Sequence, residues 1–219
     1  MSDWNSIDEF CKQSLSYDFV VLNAGGMPDS LIVNNFNVEH QCASQLIGHY
    51  YLILCLNQNG SLKENARIIW VSSGGMYLKK LDLQNLFHNK NYEKVSTYAN
   101  VKRAQVTLTQ ELSKQEFWSK AKIFSMHPGW VKTGGLSKSL PGFFRIMEKR
   151  LRNLDEGIDT ILWLLLTEES LTRGGFYFDR KIVTTYLSKN YNPSMEERTE
   201  LLNIMDNYVN SIPQVKLNQ

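Results

Sequence analysis

The stretch "DFVVLNAGG", residues 18–26, places a run of apolar and β-branched residues directly before a turn of small residues. Such a run is typical of a strand that is buried on both faces of a parallel sheet. The same arrangement recurs in "RIIWVSSGG" (67–75), "KIFSMHPG" (122–129) and "GFYFD" (175–179). The pattern therefore predicts four strands of one parallel sheet.

Helical patterns lie between these strand candidates. Residues 95–114 have apolar side chains at spacings of three and four, at Val101, Ala104, Leu108 and Leu112. This spacing predicts an amphipathic helix with a core-facing stripe. Acidic residues before "IDTILWLLL" and a capping box at 194–197 indicate two further helix starts. Alternating strands and helices indicate an α/β fold, and we expect residues 1–219 to form a single domain.

Composition narrows the classes of function. The chain has 24 Lys and Arg against 22 Asp and Glu, and a net charge of +2 gives nucleic acid little to bind. Its longest aliphatic or aromatic run, 161–166, is too short for a membrane span, so we expect a cytoplasmic protein with no transmembrane segment. Cys11, Cys42 and Cys55 form no C-x-x-C motif and are expected to be buried free thiols. The histidines show no ligand spacing, so no metal site is predicted.

The stretch "YANVK", residues 98–102, places Tyr98 and Lys102 one helical turn apart on the same helix face. A fixed ammonium group beside a buried phenol favours the phenolate. Lowering the phenol pKa by about three units needs roughly 4 kcal/mol of differential interaction. The pair is therefore a candidate general acid/base and its cation. The alternative is an ordinary helix surface, because Y-x-x-x-K occurs by chance in many helices.

Small residues follow the ends of the predicted strands, and their positions bear on the interpretation of Tyr98 and Lys102. Ser72 and Ser73 follow the second strand, residues 23–25 follow the first, and a Pro-Gly turn follows the third. Open α/β sheets place their ligands beside the carboxyl ends of their strands. Each motif taken alone is equally explained by a tight turn.

In this order, the motifs resemble those of the short-chain dehydrogenase/reductase family: N-A-G at 23–25, S-S at 72–73, Y-x-x-x-K at 98–102 and P-G-x-V-x-T at 128–133. The resemblance covers nearly the whole chain. It implies a Rossmann-like, doubly wound parallel sheet. It also implies an NAD(P)-dependent oxidoreductase that interconverts a carbonyl and an alcohol on a small or lipophilic substrate, with NAD and NADP left undistinguished.

The resemblance also implies a role for each matching residue. Tyr98 would be the general acid/base, Lys102 would lower its pKa and hold the nicotinamide ribose, and Ser73 would hydrogen-bond the reacting oxygen. The residues expected to line the cofactor cleft are Asn23, Ala24, Gly25, Tyr98, Lys102, Pro128, Gly129, Val131 and Thr133. The family commonly pairs subunits through the helices that here hold Gln45 and Tyr98, so a homodimer is one expected form.

The chain departs from the family at Gln45 in "QLIGHY", where many members have a catalytic asparagine. Glutamine keeps the amide for a proton relay, but its extra methylene would displace that amide. A structural, solvent-facing Gln45 is the alternative. We expect His49 to pack or to face solvent, and not to carry protons.

A second departure concerns the glycine-rich turn that binds the cofactor phosphates. No two glycines lie two positions apart, so neither G-x-G-x-x-G nor T-G-x-x-x-G-x-G is present. The resemblance implies an N-terminally truncated domain that lacks two strand-helix units, on the order of 60 residues. Without the turn, its backbone N–H groups cannot bind the pyrophosphate, and the first visible strand becomes a sheet edge. The alternative function is therefore an inactive truncated isoform or remnant that acts only as a subunit or interaction partner.

Residues 134–154, "GGLSKSLPGFFRIMEKRLRNL", combine Phe143 and Phe144 with several Lys and Arg. The resemblance implies a substrate-covering loop and short helix here, and the aromatic content fits a hydrophobic substrate. A helix with a solvated basic face explains the same residues. Contact with a membrane surface is a further interpretation of this one segment.

Overall fold

The structure, a computed structural model, describes residues 1–89 and 91–212. Its centre is a five-stranded sheet in the order β1-β2-β3-β4-β5. The strands are β1 (Tyr17–Leu22), β2 (Leu62–Val71), β3 (Ala121–Met126), β4 (Phe176–Phe178) and β5 (Lys181–Ile182). The first four are parallel, and β5 pairs antiparallel with β4. The predicted α/β fold and its four parallel strands are confirmed, and β5 is an addition.

Helices connect the strands. They are α1 (Trp4–Cys11), α2 (His40–Cys42), α3 (Gly48–Gln58), α4 (Lys94–Leu112), α5 (Gly134–Ser139), α6 (Pro141–Met147), α7 (Leu154–Leu166) and α8 (Met195–Asn210). A π-helical segment, Ala43–Ile47, joins α2 to α3. Capping boxes begin two of the helices: Asn153 with Glu156 begins α7, and Ser194 with Glu197 begins α8.

The sheet is packed on both faces, as a doubly wound fold requires. The predicted stripe of α4 lies in the larger core, where Val101, Ala104, Leu108 and Leu112 have no exposed surface. Helices α1, α3 and α8 contribute to the same core. On the other face, Ile69 and Phe124 pack with Leu164 of α7. The sequence periodicity therefore places α4 against the sheet and leaves Tyr98 and Lys102 near the carboxyl ends of the strands.

Strand β1 forms an edge of the sheet within the described part of the chain. Phe19 and Val21 are 45% and 39% exposed, although their partners Arg67 and Ile69 on β2 lie under α7. Arg67 fixes the end of α7 over β2 by donating hydrogen bonds to the carbonyl oxygens of Leu164 and Thr167. Helix α7 thus covers β2 and does not reach across β1, and the expected apolar edge is present.

Three further expectations concern thiols, membranes and metals. Cys42 is buried, but Cys11 and Cys55 are half-buried because they lie in the last turns of α1 and α3, so the prediction of buried thiols was wrong for these two. Among the helices of residues 1–89 and 91–212, none combines the length and apolarity needed to cross a bilayer. The same residues contain no group of three side chains able to hold a metal ion.

Candidate active site

A cleft of about 300 Å³ lies at the carboxyl ends of β1, β2 and β3. The predicted site residues that line it are Asn23, Gly25, Gln45, Ser73, Tyr98, Lys102, Pro128, Gly129, Val131 and Thr133. Ala24 is exposed and does not line the cleft. Parallel strands bring these residues together because the turns after β1, β2 and β3 all emerge at the same edge of the sheet.

The two serines after β2 have different surroundings. Ser72 is buried, and its hydroxyl donates a 2.9 Å hydrogen bond to the Lys102 carbonyl oxygen, tying β2 to α4. Ser73 begins the 3-10 turn Gly74–Leu78, where its Oγ accepts a 3.1 Å hydrogen bond from the Gly75 N–H. Burial raises the pKa of the Tyr98 phenol, and hydrogen bonding from the Ser73 side chain acts weakly against that rise. Tyr98 is therefore protonated at neutral pH.

Lys102 is only 3% exposed, and its ammonium donates a 3.0 Å hydrogen bond to the Val71 carbonyl oxygen. The Nζ atom lies 5.2 Å from the centroid of the Tyr98 ring, beside the ring face. Burial lowers the pKa of Lys102 to about 7, so the side chain is about half neutral at pH 7. Burial sets the direction of the Tyr98 pKa shift in this structure, and the expectation that Lys102 lowers that pKa stays a prediction.

Gln45 lies in the π-helical segment and is 1% exposed, so the solvent-facing alternative was wrong. Its Nε2 donates a 2.8 Å hydrogen bond to the Gly26 carbonyl oxygen, while its buried Oε1 has no partner among the described residues. The Gln45 backbone carbonyl accepts hydrogen bonds from Trp70 and Gln105. A Cβ atom at Gly25 would overlap the Gln45 side-chain amide, which explains why glycine is needed after β1.

The turn after β3 is held by a stack of side chains. Gly129 has φ +78°, and a Cβ there would meet Arg152. The Arg152 guanidinium pairs with Asp179 and lies 4.6 Å from the Phe178 ring centroid, and His127 stacks on the other side of Phe178 at 4.1 Å. Burial, with a smaller effect from Arg152, lowers the pKa of His127 to about 4. His127 is therefore a neutral packing residue of the turn.

His49 is buried behind Gln45, where the indole N–H of Trp70 donates a 3.2 Å hydrogen bond to its Nδ1. Burial lowers the pKa of His49 to about 3, with smaller effects from Lys102 and the N-terminus. The prediction that His49 packs is confirmed, and its imidazole stays neutral at physiological pH.

Several further residues of the cleft were not predicted. Met27, Trp130, Leu136 and Ser139 line the cleft, the last two from α5. The Trp130 ring lies 4.4 Å from that of Phe143 in α6, which connects the turn after β3 to the following helices. The aromatic residue inside "HPGWV" and the apolar positions of 134–147 are signals that could have identified Trp130 and Leu136, whereas Met27 has no signal in the sequence.

No protein-family model matches the chain. Human dehydrogenase/reductase SDR family member 12 is 32% identical over 205 residues, which are 89% of this chain and 62% of that protein. The Bos taurus protein of the same name is 32% identical over 213 residues, 94% of this chain and 65% of that protein. Human retinol dehydrogenase 12 is 27% identical over 186 residues, 81% of this chain and 58% of that protein. The chain thus spans less than two thirds of the length of these curated relatives.

Solved structures share the fold. A protein from Mycobacterium paratuberculosis superposes with a TM-score of 0.71 at 19% identity, covering 95% of this chain and 72% of that one. A short chain dehydrogenase/reductase family protein superposes with a TM-score of 0.57 at 19% identity, covering 80% of this chain and 71% of that one. BdcA in complex with NADPH superposes with a TM-score of 0.59 at 17% identity, covering 80% of this chain and 69% of that one. These solved structures show that the Rossmann-like fold is shared, and the relatives at 32% identity show that this chain is a homologue of short-chain dehydrogenases/reductases.

Proposed function

We propose that the protein is an NAD(P)-dependent oxidoreductase that interconverts a carbonyl and an alcohol through Ser73, Tyr98 and Lys102. The observation that carries this proposal is that these three side chains line a single cleft at the carboxyl ends of the parallel strands. A buried lysine with no carboxylate partner destabilises a fold, so its presence beside a phenol favours a functional explanation.

The polar atoms of the cleft fit a nicotinamide cofactor. The Lys102 ammonium has three N–H donors and one hydrogen-bond acceptor, Val71, among the described residues. Gln45 lines the same cleft, and its buried Oε1 accepts no hydrogen bond from residues 1–89 and 91–212. Asn23 and Gly25 on one side, and residues 128–133 on the other, would hold the cofactor, which supplies or accepts a hydride when bound. The fold neighbour BdcA was solved with NADPH, and the choice between NAD and NADP stays open.

The chain's own residues would then move the proton. In reduction, the Tyr98 hydroxyl donates its proton to the substrate carbonyl oxygen, and in oxidation the phenolate takes the proton from the alcohol. The Ser73 hydroxyl donates a hydrogen bond to the same oxygen and stabilises its developing charge. Because burial raises the pKa of Tyr98, the protonated form that serves reduction predominates at neutral pH. Gln45 is proposed to support the relay that returns a proton to Tyr98.

The apolar wall of the cleft supports a small or lipophilic substrate. Met27, Trp130 and Leu136 present carbon surface beside Tyr98. Among the sequence relatives is a protein named as a retinol dehydrogenase. We propose a reducing, cytoplasmic compartment for the reaction, which the free cysteines favour.

The homodimer through α3 and α4 stays a prediction, and the packing of α8 bears on it. Tyr50 of α3 donates a 2.6 Å hydrogen bond to Asp206 of α8, and Arg198 of α8 pairs with Glu111 of α4. Leu201 of α8 is buried in the same core. Helix α8 therefore packs on part of both helices, and a second copy that paired through them would have to fit beside it.

A tyrosine substitution tests the enzyme proposal. The reaction mixture holds NADPH or NADH with retinaldehyde or hexanal, and nucleotide oxidation is followed by absorbance. Tyr98→Phe is expected to lower kcat/KM by about 10²-fold to 10⁴-fold, because it removes the proton donor. Tyr191→Phe, outside the cleft, is the matched control and should leave the rate unchanged. Turnover by the wild type that survives Tyr98→Phe would contradict the mechanism.

The alternative function is a catalytically inactive subunit or interaction partner. It is favoured by the exposed Phe19 and Val21 on the β1 edge, which offer an apolar surface to a partner. Titration calorimetry with NADH and NADPH separates the two functions. Micromolar binding that Lys102→Met abolishes supports the enzyme, whereas absence of binding at millimolar nucleotide supports the inactive partner.

A further inference from the structure

The excess of positive charge lies in one segment, residues 132–152, which we call the basic lid. Its basic residues are Lys132, Lys138, Arg145, Lys149, Arg150 and Arg152, and its one acidic residue is Glu148. The basic lid therefore has a charge of +5 in a chain whose net charge is +2. All other residues together have a net charge of −3, so the positive potential of the molecule belongs to this segment.

Most of these cations point to solvent. Lys132 pairs with Glu148 at 2.8 Å, and Arg152 pairs with Asp179. The other four are exposed and form no ion pair within residues 1–89 and 91–212: Lys138, Arg145, Lys149 and Arg150. Exposed cations that lie close in sequence and lack acidic partners repel each other, which favours an anionic surface as their counterpart.

Apolar side chains project from the same surface. Ile146 lies between Arg145 and Lys149 in sequence and is 83% exposed. Leu154 and Trp130, which flank the basic lid in sequence, are 61% and 41% exposed. In α6, Phe143, Phe144 and Met147 are half-buried, whereas Arg145 and Ile146 are exposed, so the helix turns these two side chains to solvent. A basic surface with a protruding aliphatic residue has the chemistry of an interfacial membrane contact.

We propose that the basic lid docks on the surface of an anionic lipid membrane, with its four exposed cations over the headgroups and Ile146 inserted between them. Phosphatidylserine headgroups at a cytoplasmic leaflet supply the complementary charge, and each Lys or Arg near such a surface strengthens binding by about fivefold. The rest of the chain has a net charge of −3 and is repelled by an anionic surface. The basic lid should therefore be the side that faces the membrane.

The docked surface would adjoin the mouth of the cleft. Leu136 and Ser139 of α5 and Trp130 line the cleft that holds Tyr98. A lipophilic substrate could then pass between the bilayer and Tyr98 without crossing water. This route rests on the proposed function, whereas membrane docking itself does not depend on activity.

Vesicle co-sedimentation of the full chain tests the docking. The probes are vesicles of phosphatidylcholine alone and of phosphatidylcholine with 30 mol% phosphatidylserine, at about 0.1 M salt, where charges are partly screened. We expect binding to the anionic vesicles only. The double variant Lys149→Ser/Arg150→Ser should bind about 30-fold more weakly, and Ile146→Ser about fivefold more weakly.

The matched control removes the same charge from the opposite edge of the sheet. Lys12 and Lys120 are exposed and precede β1 and β3, away from the cleft. Lys12→Ser/Lys120→Ser should bind like the wild type, and so should Tyr98→Phe, which separates docking from catalysis. The proposal is overturned if the wild type does not bind anionic vesicles, if the control double variant loses as much binding as the lid variant, or if single-stranded DNA binds and vesicles do not.

Discussion

The Lys102 ammonium lies 5.2 Å from the centroid of the Tyr98 ring and has no carboxylate to pair with among the described residues. Its hydrogen bond to the Val71 carbonyl oxygen compensates only part of the loss of hydration. Burying the Lys102 ammonium beside Tyr98 therefore destabilises the fold, as expected where a site is selected for chemistry and not for stability.

Replacing Lys102 by Met should stabilise the protein. The ordinary lysine pKa of 10.5 falls to about 7 in the fold, so the unfolded chain binds more protons than the folded chain between pH 7 and 10.5. The stability of the wild type should therefore rise with pH through this window, and it is lowest below pH 7. Lys102→Met should remove this slope and raise the free energy of unfolding at pH 7 by about 1–3 kcal/mol, after the lost hydrogen bond is subtracted.

Urea denaturation at pH 6, 7, 8 and 9, followed by tryptophan fluorescence, measures both effects. Lys120→Met, at an exposed position, is the control and should keep the pH slope of the wild type. A Lys102→Met variant that is less stable than the wild type at pH 7 would show that the buried ammonium stabilises the fold.

The contact between Gly25 and Gln45 can be tested by a double-mutant cycle. A methyl group at Gly25 overlaps the buried Gln45 amide, so Gly25→Ala should cost about 1–3 kcal/mol of stability. Adding Gln45→Ala removes the overlapping atoms, and the double variant should recover part of that loss, with a coupling energy of about 0.5–3 kcal/mol. Gly26→Ala is the matched control, because a Cβ at Gly26 meets nothing, and it should change stability by less than about 0.5 kcal/mol. Equal losses for Gly25→Ala and Gly26→Ala would contradict this packing.

The strands and most of the residues that line the cleft could be predicted from the sequence, because both depend on local sequence patterns. Apolar runs that end in small residues located β1, β2 and β3, and the turns after them supplied Asn23, Ser73 and Gly129. The direction of the Tyr98 pKa shift was not predictable in this way. It depends on how deeply the phenol is buried and on where the Lys102 amine points, and both are set by residues far apart in the chain.

Acid should destabilise the protein through His49. Its pKa is about 3 in the fold against an ordinary value of 6.5, so the unfolded chain takes up a proton that the folded chain refuses. Stability is then full above pH 6.5 and falls as the pH decreases, by about 3 kcal/mol at pH 4 from this residue alone. His49→Asn keeps an acceptor for the Trp70 indole but does not titrate, so its stability should fall less between pH 7 and 4.5. The exposed His88→Asn is the control, and it should keep the wild-type decrease.

Arg103 is 1% exposed, and its guanidinium donates hydrogen bonds to the carbonyl oxygens of Met76, Lys79 and Thr185. It thereby holds the segment after Ser73 against the segment after β5. Arg103→Met removes these three hydrogen bonds from a largely buried site, and it should lower the free energy of unfolding by at least about 3 kcal/mol. Arg103→Lys should recover only part of this loss, because one ammonium cannot reproduce the planar fork. Arg150→Met, at an exposed position, should change stability by less than about 0.5 kcal/mol in the same urea titration. An Arg103→Met variant within about 1 kcal/mol of the wild type would show that these hydrogen bonds do not hold the two segments together.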